Sequence, residues 1–336
     1  MGQGEMTPVL AVSLSFALSA LAALALAPAV IRLLGRLRAR QTVLGYVVQH
    51  EHKTGTPTMG GGIFLLPAAA AAAAFATEFS LICAALFLGY ALLGFLDDFI
   101  KIRFSRNLGL RPYQKIAGQL GLAAIAGWFC YATEYGGGML RLPFAEAADI
   151  GAWGIPLTVL LFVACSNSVN LTDGLDGLAA STSAGYFVVF AVLLVLAAAD
   201  AASAGASAYG DQLLSLAGVS AALAGGLMGY LVSNANPAKV MMGDTGSLAL
   251  GGAAAAVAAM SGYTLLVPLV GIMFVWSSIS VIVQVTAFKA TARRVFLMSP
   301  FHHHLEMKGW SEARICALYT VLTLIGGAVA LIFARA

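Results

Sequence analysis

Carboxylates stand at two places where apolar runs of the sequence begin or end. In the segment GYALLGFLDDFIKIR, Asp97 and Asp98 follow the end of an apolar run. Asp244 lies in the segment GDTGS, which opens a later apolar run. Oxygen ligands suit the hard cation Mg²⁺, and a carboxylate can also act as a general base. The other interpretation of the aspartate pair is an interfacial anchor or a pair of partners for Lys101. Asp244 would face backbone N–H donors at a helix start, a corner suited to phosphate and metal, and an N-cap role for Asp244 or Thr245 is compatible with that.

Another polar cluster lies in the segment NSVNLTDGLDGL, residues 167–178. Asp173 and Asp176 are three residues apart and would share one face of a helix. The glycines that follow each aspartate instead favour a turn at which a ligand can approach the backbone closely. Packing alone does not explain so many polar groups between two apolar runs, so we expect a binding role here.

Histidine and lysine complete the set of chemically capable residues. In the segment SPFHHHLE, His302, His303 and His304 are adjacent, and neighbours on a helix point about 100° apart. This argues against a shared zinc site and favours phosphate contact or proton transfer by one or two of them. The segment HEHKTGTPTMGGG resembles a phosphate cradle, but it is not a Walker A motif because Lys53 precedes the glycines.

The elements that must position these residues are strongly apolar. Hydrophobic residues make up 60% of the 336 and charged residues 10%, against about 45–50% and about 25% in an ordinary globular domain. Too little charge is left to cover a water-facing surface, which excludes a soluble globular protein, a disordered chain and a disulfide scaffold. The sequence therefore predicts an all-α polytopic membrane protein.

The uncharged runs predict about ten transmembrane helices, because a span needs about 20 residues. One run of 44 residues is too long for a single crossing and is expected to break at Ser261-Gly262-Tyr263. With no internal repeat and no long linker, we expect one integral membrane domain over 1–336. The nine runs are 6–31, 54–77, 79–96, 116–133, 150–172, 177–199, 212–238, 245–288 and 315–334.

The basic residues predict the orientation of these spans. Sixteen of the 18 Lys and Arg fall in one set of alternate loops, and only Arg141 and Arg335 fall in the other. The positive-inside rule then places all five polar motifs on the cytoplasmic face and both termini outside. Acids, lysines, histidines and glycine-rich turns at one level predict a site for Mg²⁺ and polyanionic substrates. A transporter would more typically place its polar groups near the bilayer midplane.

Five segments together carry a family resemblance. GTPTMGG (55–61), LDDFIKI (96–102), NSVNLTDGLDGLA (167–179), MGDTGSLALGG (242–252) and PFHHHLE (300–306) resemble the polyprenyl-phosphate N-acetylhexosamine-1-phosphate transferase family. The first and last segments narrow the resemblance to its phospho-N-acetylmuramoyl-pentapeptide branch. The resemblance covers essentially the whole chain, in order.

The resemblance implies a reaction in the bacterial cytoplasmic (inner) membrane. Phospho-MurNAc-pentapeptide would pass from UDP-MurNAc-pentapeptide to undecaprenyl phosphate, giving lipid I and UMP with Mg²⁺ as cofactor. The expected partners are these two substrates and membrane lipid, without nucleic acid, and a homodimer stays open. The rival activities are a UDP-N-acetylglucosamine transferase of the same family and a non-catalytic transporter or lipid-binding protein.

The resemblance also implies residue roles. Asp97 would be the base or the orienting group for the lipid phosphate, with Asp98 in support, and Asp244 would bind Mg²⁺. Asp173, Asp176 and Asn170 would bind the nucleotide sugar or shape the metal site. Lys53, Lys115 and His302 are expected at phosphates, His303 and His304 beside them, and Asn234 near the uracil. The family commonly has Phe where this chain has Met241, which leaves the base-stacking role of that position open.

Overall fold

The structure, a computed structural model, describes residues 7–37, 55–104, 108–135, 138–142 and 147–335. Most of these residues are helical, and two short strands of two residues each, β1 (Met139–Leu140) and β2 (Ala148–Asp149), form an antiparallel hairpin. The helices are α1 (Pro8–Arg36), α2 (Gly62–Phe75), α3 (Glu78–Arg103), α4 (Pro112–Ala132), α5 (Gly154–Thr172), α6 (Leu178–Ser203), α7 (Ser207–Asn234), α8 (Gly243–Met260), α9 (Val267–Val270), α10 (Ile272–Thr291), α11 (Phe301–Met307) and α12 (Glu312–Arg335).

Among the described residues, seven helices are long and apolar enough to cross a membrane: α1, α3, α5, α6, α7, α10 and α12. The prediction of an all-α membrane protein is confirmed at this level. The apolar helix α2 has only 14 residues. Together with α4 and α8, it accounts for the remaining predicted spans, so the count of ten stays a prediction.

The helix ends follow local chemistry. The run 54–77 yields a helix only from Gly62, because the loop before it pairs with the loop before α8: Gly60 N–H donates to the Met241 carbonyl (2.9 Å), and Met241 N–H donates to the Pro57 carbonyl (2.8 Å). The long run breaks at Gly262 as predicted, where φ is +77°. A second break at Gly271, between α9 and α10, was not predicted.

Close helix packing relies on glycine. Gly225 and Gly229 of α7 lie directly against the backbone carbonyls of Phe16 and Ala20 in α1. These two glycines, four residues apart in a GxxxG pattern, therefore serve a contact inside the chain, as small residues do where helices approach closely. Gly94 of α3 likewise lies against the backbone of Asp244, which brings the end of α3 onto the start of α8.

The helix ends that carry the polar motifs meet at one end of the bundle. They are the C-terminal ends of α3, α5 and α7 and the N-terminal ends of α4 and α8. The hairpin lies at the opposite end, where Arg141 donates from Nε to the Ser261 carbonyl at 3.3 Å. The polar motifs are thus gathered at one end of the helical bundle.

Candidate active site

The site is built on the contact between α3 and α8. The Asp98 carboxylate accepts hydrogen bonds from the backbone N–H groups of Asp244 (3.2 Å) and Thr245 (2.9 Å) and from the Thr245 hydroxyl (2.8 Å). The first backbone N–H groups of a helix have no partner within that helix, and a carboxylate there is stabilised by the helix dipole. Asp98 therefore caps α8 from a neighbouring helix and fixes the position of Asp244.

Three carboxylates converge here around one ammonium group. One oxygen from each of Asp97, Asp98 and Asp244 lies within 4.8 Å of the other two. The Nζ atom of Lys101 lies 2.5 Å from Asp97 Oδ2, 3.1 Å from Asp244 Oδ2 and 3.9 Å from Asp98 Oδ1. Asp97 is further fixed through Oδ1, which accepts the Leu110 N–H at 2.8 Å. The two interpretations of the aspartate pair are thus compatible, because Lys101 does pair with both aspartates.

Asp244 has partners on its other sides as well. Lys115 of α4 donates to Asp244 Oδ2 at 2.9 Å, and the Asn170 amide of α5 donates to Asp244 Oδ1 at 2.8 Å. The same amide donates to Ser247 Oγ at 2.8 Å. Four helices therefore contribute to one polar centre, with Asp244 in the middle of it.

The donor set fits a hard divalent cation. Asp97 and Asp98 are buried, Asp244 is nearly so, and all three offer oxygen, the ligand atom that Mg²⁺ prefers. Among the residues that the structure describes, two ammonium groups, Lys101 and Lys115, pair with these three carboxylates, which leaves room in the charge balance for a cation. A buried excess of carboxylate is costly unless it is paired or coordinates a metal.

Asp173 lies in the turn that follows α5, where its side chain is half-buried. Burial raises the pKa of this carboxyl to about 8, and the charges of Asp244, Asp98 and Asp176 act in the same direction. The protonated form of Asp173 is therefore favoured at neutral pH in the metal-free protein, so that it can donate a hydrogen bond.

Asp176 is tied to two neighbouring elements. Its Oδ2 accepts from the Asn236 amide (3.2 Å) and the Ala238 N–H (2.9 Å) in the loop between α7 and α8. Its own N–H donates to Glu312 Oε2, at the start of α12, at 2.8 Å. These contacts hold in place the loop that leads to Asp244. The predicted contact of Asp176 with the nucleotide sugar stays a prediction.

Two of the three adjacent histidines face the Asp173 turn. A Cβ atom added at Gly174 would lie 3.1 Å from His303 Nε2 and closer still to His302 Nε2. His302 is fully buried, and His303 Nδ1 lies 3.0 Å from Glu306 Oε2. His304 instead accepts the Leu297 N–H at its Nδ1 (3.1 Å), away from the turn. The geometric argument that three adjacent histidines do not converge on one point agrees with this arrangement.

The residues predicted near the uracil are buried in supporting contacts. The Asn234 amide donates to the Val240 carbonyl at 2.9 Å. Met241 is 8% exposed and is held through its backbone by Pro57 and Gly60. A role of either side chain at the base stays a prediction. Lys53, predicted at a phosphate, lies outside the described residues.

Sequence reasoning included Asn167 in a polar cluster but missed Gln119 and the pairing of the two amides beside the centre. The Asn167 amide donates to Gln119 Oε1 at 2.8 Å, and Gln119 is fully buried. Gln119 is one turn from Lys115 on α4, and Asn167 is one turn from Asn170 on α5. That helical spacing was the available signal, because residues three or four apart share a face. The pair fixes the approach of two helices whose next turns carry residues of the site.

These features define a class: an α-helical, multi-pass membrane protein with a buried carboxylate–ammonium centre at one end of its bundle. Residues 79–262 match glycosyl transferase family 4. A phospho-N-acetylmuramoyl-pentapeptide-transferase of Thermoanaerobacter sp. (strain X514) is 43% identical over 279 residues, covering 82% of this chain and 83% of the relative.

Relatives with the same name cover nearly the whole chain. The protein of Desulforamulus reducens is 41% identical over 332 residues, 96% of this chain and 95% of its own length. That of Geobacillus thermodenitrificans is 42% identical over 330 residues, 96% of each chain. The chain therefore belongs to glycosyl transferase family 4 and, within it, to the phospho-N-acetylmuramoyl-pentapeptide-transferases. It is an enzyme that transfers a phospho-sugar group.

Proposed function

We propose that this enzyme transfers phospho-MurNAc-pentapeptide from UDP-MurNAc-pentapeptide to undecaprenyl phosphate and releases lipid I and UMP. This is the first membrane step of peptidoglycan synthesis. The observation that carries the proposal is the similarity to relatives of that name along 96% of the chain. The chain acts as one domain, residues 1–336, in the bacterial inner membrane. It has ten spans, both termini outside and the site on the cytoplasmic face.

The chemistry asks for alignment and charge neutralisation. Both substrates are anions, so the site must align them and neutralise their charge. Two substrates bound side by side at one membrane face need no covalent intermediate to bridge them. Asp244, with Asp97 and Asp98 beside it, would hold Mg²⁺, which neutralises phosphate charge when bound. The buried oxygen-only donor set of these residues supports this assignment.

Asp97 orients the undecaprenyl phosphate or accepts its proton. A phosphate oxygen of that lipid attacks the β-phosphorus of the nucleotide substrate. The new P–O bond forms as the bond to UMP breaks, and UMP leaves with the electron pair. Asp98 acts indirectly, because its carboxylate is already used to hold the start of α8.

The remaining polar residues bind the two substrates. Lys115, Lys53 and His302 neutralise phosphate oxygens, with His303 and His304 beside them. Asn170, Asp173 and Asp176 line the nucleotide-sugar side, and Asn234 and Met241 the uracil side. The position of His302 and His303 against the turn at Gly174 supports placing both motifs on one ligand.

The two rival activities predict different outcomes in one assay. Purified protein is supplied with undecaprenyl phosphate and Mg²⁺ and offered either UDP-MurNAc-pentapeptide or UDP-N-acetylglucosamine, and UMP release is measured. We expect UMP only with the first. Release only with the second would establish the related transferase, and release with neither would favour a transporter or lipid-binding protein.

A further inference from the structure

The Lys101 ammonium lies among the three carboxylates that would hold a metal ion. Its Nζ is within 4 Å of an oxygen of Asp97, Asp98 and Asp244. No other described cation approaches all three, since Lys115 forms an ion pair with Asp244 alone. The Lys101 ammonium therefore lies in the position that all three carboxylates can contact.

An ammonium ion and a divalent metal ion compete for such a position. Mg²⁺ binds oxygen ligands at about 2.0–2.1 Å, whereas an ammonium nitrogen lies about 2.7–2.9 Å from a carboxylate oxygen. Two cations that share the same oxygens also repel each other strongly in a partly buried site. A metal ion would therefore compete with the Lys101 ammonium for these oxygens of Asp97 and Asp244.

The Lys101 side chain can also move away from the carboxylates. Lys101 lies in the last turn of α3, and its side chain is 33% exposed although the carboxylates beside it are buried. A lysine side chain has a flexible four-carbon stem and can withdraw toward water without moving the helix. The neighbouring Lys115 is less exposed, at 17%, and is held by Asn170 as well as Asp244.

We propose that Lys101 is a built-in counter-ion that keeps the three carboxylates together without metal and is displaced when a divalent cation binds. The inference rests on the Mg²⁺ site of the proposed function. It adds that the metal ion binds by replacing the Lys101 ammonium. The ammonium is then free, at the exposed edge of the site, to contact the anionic substrates.

The first test measures metal binding rather than turnover. Mn²⁺ titration followed by electron paramagnetic resonance is done on the purified, substrate-free protein and on Lys101→Gln, Lys101→Arg and Arg103→Gln. Removing the competing charge is expected to tighten Mn²⁺ binding of Lys101→Gln by about tenfold or more. Lys101→Arg keeps the charge and is expected to stay near the parent. Arg103→Gln changes the net charge equally from an exposed position and is expected to bind within about twofold of it.

The second test uses the unaltered protein, so it does not depend on the folding of a variant. Amine acetylation at Lys101 is followed by mass spectrometry in EDTA and in Mg²⁺, with the exposed Lys289 as internal control. Displacement predicts faster labelling of Lys101 in Mg²⁺ and no change at Lys289.

Either of two results would overturn the inference. One is a folded Lys101→Gln protein whose Mn²⁺ affinity equals or falls below that of the parent. The other is Lys101 labelling that Mg²⁺ leaves unchanged or slows. Both readouts are independent of the transferase assay, so a failure of the proposed reaction and a failure of the cation exchange remain distinguishable.

Discussion

At the scale of single residues, Asp244 lies at the centre of the polar contacts of the site. Its carboxylate accepts hydrogen bonds from Lys101, Lys115 and Asn170. Of the three clustered aspartates, Asp244 is the one at the start of a helix. Asp244→Asn keeps the shape and removes the charge. A lost metal contact costs several kcal/mol of transition-state stabilisation, so we expect turnover to fall by about 10²-fold or more.

UMP release at fixed Mg²⁺ measures the effect of Asp244→Asn, and Mn²⁺ binding gives an independent readout. Asp211→Asn is the matched control, because Asp211 is exposed near the N-terminal end of α7, away from the C-terminal end that meets the polar centre. Near-normal turnover of Asp244→Asn at ordinary Mg²⁺ would remove Asp244 from the metal site.

Asp97 gives a second prediction. If it orients the lipid phosphate or takes its proton, it acts mainly in the transition state. Asp97→Asn is then expected to lower kcat by about 10²–10⁴-fold with little change in the KM for the nucleotide substrate. Steady-state kinetics with both substrates varied measures this split. If Asp97→Asn only raised the KM for the nucleotide substrate, Asp97 would be a substrate-binding residue rather than a catalytic one. A phospho-sugar adduct trapped on Asp97 would establish a two-step route.

Asp173 gives a prediction about pH. Its pKa is about 8 in the folded protein and 3.8 for an ordinary aspartate. The folded state therefore holds a proton that the unfolded state has lost above pH 4, and this contribution to stability falls as pH rises from about 4 to 8 and is flat above. We expect Asp173→Asn to show a smaller loss of melting temperature between pH 5 and pH 8.5 than the parent in EDTA.

The comparison for Asp173→Asn is Asp149→Asn, because Asp149 is exposed at the other end of the molecule. That substitution is expected to leave the pH dependence unchanged. Equal pH slopes for the parent and Asp173→Asn would show that Asp173 is ionised throughout this range.

The chemistry of the site could be predicted from residue types, but not the partner of each residue. Asp97, Asp98 and Asp244 were recognised from their positions at the ends of apolar runs. That Asp98 caps the helix carrying Asp244 was not, because a cap supplied by another helix leaves no local spacing to detect. The contact of Lys101 with Asp97 was available from their i, i+4 spacing, whereas its contact with Asp244 depends on packing.

At the scale of elements, the approach of α3 to α8 determines the geometry of the site. A Cβ at Gly94 would overlap the Asp244 backbone, whereas a Cβ at Gly89 would meet only the Leu122 side chain at 2.9 Å. Backbone does not yield as a flexible side chain does. Gly94→Ala is therefore expected to cost about 1–3 kcal/mol by overpacking and to displace Asp244, with a loss of turnover.

Gly89→Ala is the matched control on the same helix, since the Leu122 side chain can adjust. Melting temperature and UMP release of the two alanine variants are compared in the same detergent. If Gly94→Ala matches Gly89→Ala in both measurements, the close approach of α3 and α8 is not what sets the site.

Apolar runs predicted where the long helices lie, because burial in lipid requires an uninterrupted apolar stretch. The break at Gly262 was predicted from its sequence. The start of α2 at Gly62 was not, because the preceding loop is shaped by its pairing with Met241, far along the chain. The short helix α11, which carries the histidines, has no apolar period to reveal it.

At the scale of the whole molecule, the polar centre and the hairpin lie at opposite ends of one helical bundle. Asp97, Lys115, Asn170 and Asp244 meet at one end. Arg141 and the Arg335–Asp200 ion pair lie with the hairpin end, and these two arginines are the ones that sequence analysis assigned outside. The segregation of charge along the chain and in space gives the orientation a physical basis.

This orientation is the last prediction. The positive-inside rule places the motif end in the cytoplasm and the hairpin end outside. Single cysteines are introduced at two exposed positions, Lys308→Cys after α11 and Ser207→Cys at the start of α7, in a protein whose four native cysteines have been replaced. In intact cells, an impermeant thiol reagent is expected to label position 207 and not 308. Both are expected to react after the membrane is opened, which controls for accessibility. Labelling of 308 with none at 207 in intact cells would reverse the orientation and place the nucleotide site outside, where no cytoplasmic UDP-sugar could reach it.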